Sequence, residues 1–461
     1  MNRQPDQKIK VSIILPSLNV CGYIAQCLES AVNQTLKEIE ILCIDAGSDD
    51  GTLEIIREFA GRDPRIRVLP VSVRSYGYQL NYGIQEAGGE YIGVIETDDY
   101  VDPDMYECLY NLASDAGADV AKSNQYDRYE FSDGSIVEDL LDFPPEHYGD
   151  NLLFSPDDHP DVHYWDGNMW NGIFRAEFLR KNGIAFRETP GAAFQDVGFQ
   201  QRYLNFADSV LYSHYHFYHY RKVRPGASTW NPKCLRYIYG EYQSLLADER
   251  IRKTHLKAIL TRMVPAVLYE FEKALCYCDF AMERLDCPEA VDWFKETLLW
   301  AFEEEILLPA DLSGTLKDEV MTFLADRELY VRGYKRKMRA VYDWVDQVKE
   351  KAGQKKLIVV GLGDYGSMLV FFLIRNGIKV EGLADNRKGW INRSCFGLRV
   401  KSADDASRDS VGAFYLIANK KAGVQLREHL KSRGVSEDQI MIFDGSDPEL
   451  VAGLRKQPIL V

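Results

Sequence analysis

The hydrophobic pattern of the first half of the chain changes period repeatedly. Val11 to Leu15 is a short apolar run ending at Pro16, as a buried strand would. Ile24 to Asn33 switches to helical spacing. Ile39 to Ile44 predicts a second strand, closed by Gly47. Thr52 to Phe59 is helical, with Asp49, Asp50 and Thr52 supplying capping groups at its start. Ile66 to Val71, Tyr91 to Ile95 and Asp119 to Ser123 predict further strands. Such alternation implies a largely parallel sheet covered on both faces. Ligands of these sheets sit beyond the carboxyl ends of the strands. Here those ends are Pro16–Asn19, Asp45–Ser48 and Glu96–Asp99.

From about Asn231 to Lys351 glycine becomes scarce. Runs such as Leu256 to Ala274 and Ala290 to Leu307 have helical spacing, and Pro265 is expected to kink the first. From Lys355 the alternation returns, with strands at Leu357–Val360, Val380–Ala384 and Ala413–Ile417 and helices at Ser367–Asn376 and Val424–Arg433. The pattern predicts an α/β domain over 1–232, a helical connector over 233–352 and a small Rossmann-like α/β domain over 353–461.

A length of 461 residues suits about three domains. Acidic residues number 70 against 55 basic, a formal charge of −15, which argues against a general nucleic-acid-binding surface. The nine cysteines show no framework spacing, so a reduced, cytoplasmic protein is expected. Met1 to Lys10 is too polar for a signal peptide. The apolar stretch Leu357 to Ile374 is broken by Gly361, Gly363, Asp364 and Gly366, which suits a strand, turn and helix better than a membrane span.

Candidate chemistry clusters at the strand ends. Glu96-Thr97-Asp98-Asp99 follows the strand Tyr91 to Ile95. Three carboxylates there repel one another unless a cation sits among them, and Mg²⁺ or Mn²⁺ shared with a diphosphate answers that need. The competing reading is an acidic helix start before Met105 to Leu112. Asp45, ahead of Gly47, can accept hydrogen bonds from a base or a sugar hydroxyl; the competing reading is a capped strand-to-helix turn. Pro16-Ser17-Leu18-Asn19 is a weaker signal of the same kind.

The segments "VSIILPSLN", "ILCIDAGSDDGT" and "NYGIQEAGGEYIGVIETDDYVDPDMYE" together resemble the inverting glycosyltransferases of family 2, which have the GT-A fold. The resemblance covers roughly residues 9 to 230. "WNGIFRAEFLRKNGIAF", "AAFQDVGFQQRYL" and "YHYRKVRPGAST" fit the family's later segments. The resemblance implies Pro16, Ser17, Asn19, Asp45 and Asp98 at the donor, Asp99 on a divalent metal and Asp196 as the catalytic base. His219, Arg221 and Arg224 either reach the diphosphate or pack as aromatic and solvated groups. Trp165 and Trp170 either stack on an acceptor sugar or belong to the core. The sequence departs from the family at Ala46, Gln195 and Glu96, and no Gln-x-x-Arg-Trp motif follows.

In the last domain Gly361-Leu362-Gly363-Asp364-Tyr365-Gly366 follows a strand, and Asp385 ends the next one. This is the spacing of a dinucleotide fingerprint, with Gly361, Gly363, Gly366 and Asp385 as its members. It implies either an NAD(P) or other nucleotide site or a structural and assembly role. The expected function is inverting transfer of a sugar from a nucleotide-diphosphate sugar, a UDP-sugar first, to a glycan or lipid-linked acceptor in surface polysaccharide or glycolipid synthesis. A lipid-linked acceptor would bring the protein to the inner membrane surface. The alternatives are an NAD(P)-dependent sugar oxidoreductase and a non-catalytic scaffold. A homo-oligomer is compatible with all three.

Overall fold

The computed structural model describes residues 8–131, 134–141, 151–222, 231–409, 412–419, 421–443 and 445–457. The first unit is built on strands β1 (Val11–Ser17), β2 (Ile39–Asp45), β3 (Ile66–Pro70), β4 (Tyr91–Val94), β5 (Tyr100–Val101), β6 (Val120–Glu130), β7 (Ile136–Leu141), β8 (Leu152–Phe154), β9 (Gly172–Arg175) and β10 (Val210–Arg221). Their order is β3-β2-β1-β4-β9-β6-β10-β5, with β7 on β6 and β8 on β10. β1 and β2 are buried along their whole length, as strands covered on both faces must be. Helices α1 (Ile24–Val32), α2 (Thr52–Arg62), α3 (Tyr76–Glu86), α4 (Met105–Ala116), α5 (Val162–Trp165), α6 (Ala176–Asn182) and α7 (Gln195–Phe206) join or cover the strands.

Register sets the site. β1 pairs in parallel with β2 and β4, placing Ser17 beside Asp45 and Ile14 beside Val94. The loops after these three strands therefore open at one edge. Beyond β4 the sheet turns antiparallel through β9, then β6 and β10 run parallel to each other. The strand expected at Asp119–Ser123 extends to Glu130 because its polar second half pairs with β7. β10 was not expected: its run of His and Tyr does not alternate, and a register irregularity near His216 re-aims its side chains.

Helices α8 (Cys234–Ala247), α9 (Glu249–Arg252), α10 (Leu256–Tyr277), α11 (Pro288–Glu303), α12 (Gly314–Ala325) and α13 (Arg327–Ala352) form the middle region around their own apolar cluster. Pro265 lies inside α10, which continues past it. A second sheet follows, built from β11 (Leu357–Val360), β12 (Gly382–Ala384), β13 (Ser394–Cys395), β14 (Leu398–Lys401), β15 (Phe414–Ile417) and β16 (Ile440–Ile442), in the order β13-β14-β12-β11-β15-β16. Helices α14 (Asp364–Arg375), α15 (Ala403–Asp409), α16 (Gly423–Ser432) and α17 (Pro448–Arg455) accompany it. Among the described residues no helix is long and apolar enough to cross a membrane.

Candidate active site

The loops after β1 and β2 interlock. The Asn19 amide donates to Ser48 Oγ at 3.0 Å, and the Asp49 amide returns a bond to Asn19 Oδ1 at 2.9 Å. Val20 and Cys21 donate to Thr52 and Asp50. Asn19 adopts φ +55°, a conformation asparagine tolerates. Pro16 accepts from the Thr97 hydroxyl at 2.7 Å, which ties the loop after β4 to the same frame. Ser17 is buried, its carbonyl accepting from Gln79.

Asp45 is fully buried and turned into its own loop. Its carboxylate accepts from the amides of Gly47 and Ser48, each at 3.0 Å, and from the Ser48 hydroxyl at 2.6 Å. The expectation of a residue reaching out to a base meets a residue that shapes the turn.

Asp98 and Asp99 separate sharply. Asp99, expected on the metal, is fully buried. Its oxygens accept from the Arg221 amide at 2.8 Å and the Tyr218 hydroxyl at 3.0 Å. Burial first, and the neighbouring charge of Asp98 second, push its carboxyl well above the usual range. Glu96 and Asp98 are partly exposed at the same strand end. Asp99, next in sequence to Asp98, is thus bonded to β10.

β10 spends its cations on that anchor. Arg221, expected at a diphosphate, is buried; its guanidinium bonds Glu130 at 2.9 Å, Gln26 at 2.5 Å and the Asp98 carbonyl. His219, the second such candidate, lies between the Tyr100 and Tyr126 rings, with centroids 4.3 and 4.6 Å away. Its nitrogens face Asp102 at 3.1 Å and Glu138 at 3.3 Å. Both side chains hold the sheet together. Arg224 lies outside the described residues.

Asp196 opens α7, across from Glu96. Phe194 precedes it at φ +62°, a strained turn for a bulky residue. Gln195 is buried and clamps the approach: it accepts from the Ala193 amide at 2.7 Å and donates to Thr189 Oγ1 at 2.8 Å. This gives the missing glutamate position a structural task. A bridge between Ser75 and Gly191 brings the start of α3 against this loop. Tyr76 there donates its hydroxyl to Glu96. Burial raises the Asp196 carboxyl to about 6. The Tyr76 phenol is pushed up by burial and then by the charges of Glu96, Asp196 and Asp98. Tyr220 responds similarly to Asp99, Asp98, Asp127 and Asp196. These two tyrosines thus mark the space shared by the carboxylates of β4 and α7. Neither Tyr76 nor Tyr220 had a sequence signal of its own.

Trp170 joins this space, its ring 5.0 Å from Tyr220. Trp165 does not: it packs on Tyr212 at 5.0 Å and donates to Asp161 at 3.1 Å.

In the second sheet Gly361 has φ +91°, and a Cβ on Gly366 would fall 1.9 Å from the Gly361 carbonyl oxygen. Both glycines serve close helix–strand packing. A Cβ on Gly363 would meet nothing within 4 Å. Asp385 is already engaged: it accepts from the Leu362 amide at 2.7 Å and from the Arg387 guanidinium at 2.8 and 3.0 Å. Burial opposes ionisation there, but the Arg387 bonds hold the carboxyl below its usual range. The position expected at a ribose is occupied by the protein's own arginine.

The first unit thus joins a parallel half-sheet, whose three strand-end loops open at one edge, to a continuation that turns antiparallel through β9. Residues 12–159 match the family model Glycosyl transferase family 2. The chain is 31% identical over 217 residues to the cholesterol galactosyltransferase of Borreliella burgdorferi, covering 46% of this chain and 60% of that protein. It is 38% identical over 127 residues to the glycosyltransferase GlyG of Streptococcus pneumoniae, covering 27% of this chain and 42% of that one. The chain thus spans 60% and 42% of the length of these two relatives. The solved structure of S. aureus TarS 1-349 in complex with UDP-GlcNAc aligns with a TM-score of 0.56 at 17% identity, over 72% of this chain and 91% of that one. That likeness is one of fold.

Proposed function

We propose that this protein transfers a sugar from a nucleotide-diphosphate sugar to a hydroxyl acceptor with inversion at the anomeric carbon. The observation that carries this reading is the convergence of Glu96 and Asp98 with Asp196 around Tyr76 and Tyr220. The donor's diphosphate would lie over the interlocked loops after β1 and β2, with Asp98 and Glu96 beneath it. A UDP-sugar is the first candidate, since the TarS structure of similar fold holds UDP-GlcNAc.

The donor set suits a divalent ion. The carboxylates are oxygen ligands of one sign, and the nearby Arg221 guanidinium is committed to Glu130, Gln26 and the Asp98 carbonyl. Among the described residues no three His, Cys, Asp or Glu side chains form a ready cage. Asp98 and Glu96, the partly exposed carboxylates at the end of β4, would hold Mn²⁺ or Mg²⁺ together with the diphosphate. When bound, the ion supplies charge stabilisation for the departing diphosphate. Asp196 takes the acceptor's proton as the hydroxyl attacks, and its raised pKa matches a base working near neutral pH. One displacement inverts the configuration.

A structural or assembly role suits the second sheet better than a nucleotide site, since Asp385 is already bonded by Arg387. A lipid-linked acceptor would bring the protein to the cytoplasmic membrane surface. The test is to incubate the full chain with UDP- and GDP-sugars and Mn²⁺ and follow nucleoside diphosphate release. Turnover of at least one donor, lost in Asp196→Asn, is expected; no binding or turnover of any donor overturns the reading.

A further inference from the structure

The acceptor side of the site receives a cation from outside the first sheet. Arg262 sits on α10, in the helical region, and α10 packs across α5. Its Cζ stands 6.0 Å from the centroid of the Tyr164 ring. Its Nη2 faces Gly167, where a Cβ would lie 3.8 Å from it with no other heavy atom as close as 4 Å. The missing side chain leaves the guanidinium open from that direction. The Arg262 Nε is buried without a hydrogen-bond partner. The Tyr242 hydroxyl, which feels the Arg262 charge, is fully buried and also unpartnered. Arg262 is partly exposed, and its charge reaches Asp196.

Other arginines around α7 are committed. Arg187 pairs with Glu241 at 3.1 Å; Arg202 donates from Nη2 to Ser244 at 2.8 Å, and its unpartnered Nη1 is buried and lies toward Glu241, whose charge it feels. Arg221 closes on the Asp98 loop. Arg262 forms no salt bridge among the described residues. A partly buried guanidinium with unspent donors is matched by a phosphate or carboxylate, which accepts two of its bonds at once.

We propose that Arg262 is a substrate-contacting residue whose guanidinium binds an anionic group, a phosphate or carboxylate, carried by the acceptor. The inference rests on the transfer reading above and deepens it. It assigns the anion to the acceptor because Arg262 lies on the α5–α7 side of the site, with Asp196, while the donor loops belong to β1, β2 and β4. Tyr164 also lines a cavity of about 530 Å³ with His255, Lys257 and Thr261, which gives the rest of such an acceptor a place along α10.

The test uses the full chain and ethyl phosphate as the probe. Calorimetry measures ethyl phosphate binding to the wild type, Arg262→Gln and Arg262→Lys, each with Mn²⁺ and either UDP or GDP present. The expected result is binding to the wild type, weakened at least about tenfold in Arg262→Gln and partly restored in Arg262→Lys, the loss typical of a charge-assisted pair. Nucleoside diphosphate affinity, measured in the same variants, is expected to stay within about twofold. Equal ethyl phosphate affinity in all three proteins, or no binding to the wild type, overturns the proposal. A loss of nucleoside diphosphate affinity in Arg262→Gln also overturns it, by assigning Arg262 to the donor. Donor turnover is measured in parallel. Its absence from the wild type would count against the transfer reading, whereas the calorimetric comparison decides the role of Arg262.

Discussion

Removing the Asp99 side chain leaves the Tyr218 hydroxyl and the Arg221 amide without their acceptor in a buried place. Asp99→Ala is therefore expected to lower stability by about 1–3 kcal/mol, read by denaturant unfolding. Asp98→Asn should keep the wild-type melting point but lower metal-dependent turnover on the order of a hundredfold or more, because a carboxylate partly open to the cleft is lost. Similar losses of Mn²⁺ affinity in both variants, with both fully folded, would contradict this division. Asp196 gives a pH signature. As the base it must be ionised, so turnover should fall about tenfold per pH unit below about 6 and level off above it. The stability sign is opposite. A folded pKa of about 6 against an ordinary 3.8 means the native state keeps a proton the unfolded chain has released. The stabilisation is complete below 3.8 and lost as pH rises through about 6. Asp196→Asn should lose turnover yet melt no lower than wild type at pH 7.5, with a flatter stability profile between pH 4 and 6. A wild-type melting point that climbs through this window faster than that of the variant would refute the assignment.

The alternating elements were legible where burial made the pattern one-sided or continuous. β1, β2 and β11 are buried along their whole length; the cap expected from Asp49, Asp50 and Thr52 at α2 falls instead to Gly51 at φ +101°, with no side-chain cap. β10 was hidden because its specificity lies in hydrogen bonds and ring stacking, which carry no hydropathy period. α3 was hidden because Tyr76–Glu86 contains two glycines and few apolar positions. The glycine fingerprint was visible, but its purpose was not. Spacing cannot show that Asp385 is spoken for by Arg387, a residue only two positions away. The same element yields a test of packing against ligand binding. Gly366→Ala would place a Cβ 1.9 Å from a backbone oxygen, so it should destabilise the second sheet strongly; Gly363→Ala faces open space and should leave the melting profile near wild type. Hydrogen exchange of the β11, β12 and β15 amides reads the difference. Equal protection in the two variants would remove the packing role given to Gly366.

α13 ties the molecule together. Its first half, through Tyr330, Val331, Tyr334 and Met338, belongs to the apolar cluster of the helical region. Its second half, through Val341, Trp344, Val345 and Val348, packs with the second sheet and with Tyr129 and Val137 of the β6–β7 hairpin. No pattern in the sequence announced this sharing, because one helical stripe serves two cores without changing period. Near the chain end Lys456 reaches back to Glu272 at 2.9 Å and Glu319 at 2.5 Å. Glu272 is buried, and burial raises its carboxyl despite the opposing pull of Lys456. A chain ending at residue 350 would leave Glu272 without its cation and expose the second apolar face of α13. Breaking a buried pair from one side costs about 3–5 kcal/mol. The shortened chain is expected to melt lower and to self-associate in light scattering, while retaining donor hydrolysis per folded molecule, since Glu96, Asp98 and Asp196 all belong to the first unit of the fold. Adding Glu272→Gln to the shortened chain removes the orphaned charge and should recover part of the lost melting temperature. In the full chain the same substitution should instead lower it, because Lys456 then loses one of its two carboxylates. If Glu272→Gln shifts both chains in the same direction, the Lys456 pairing is not what couples the last helix to the helical region.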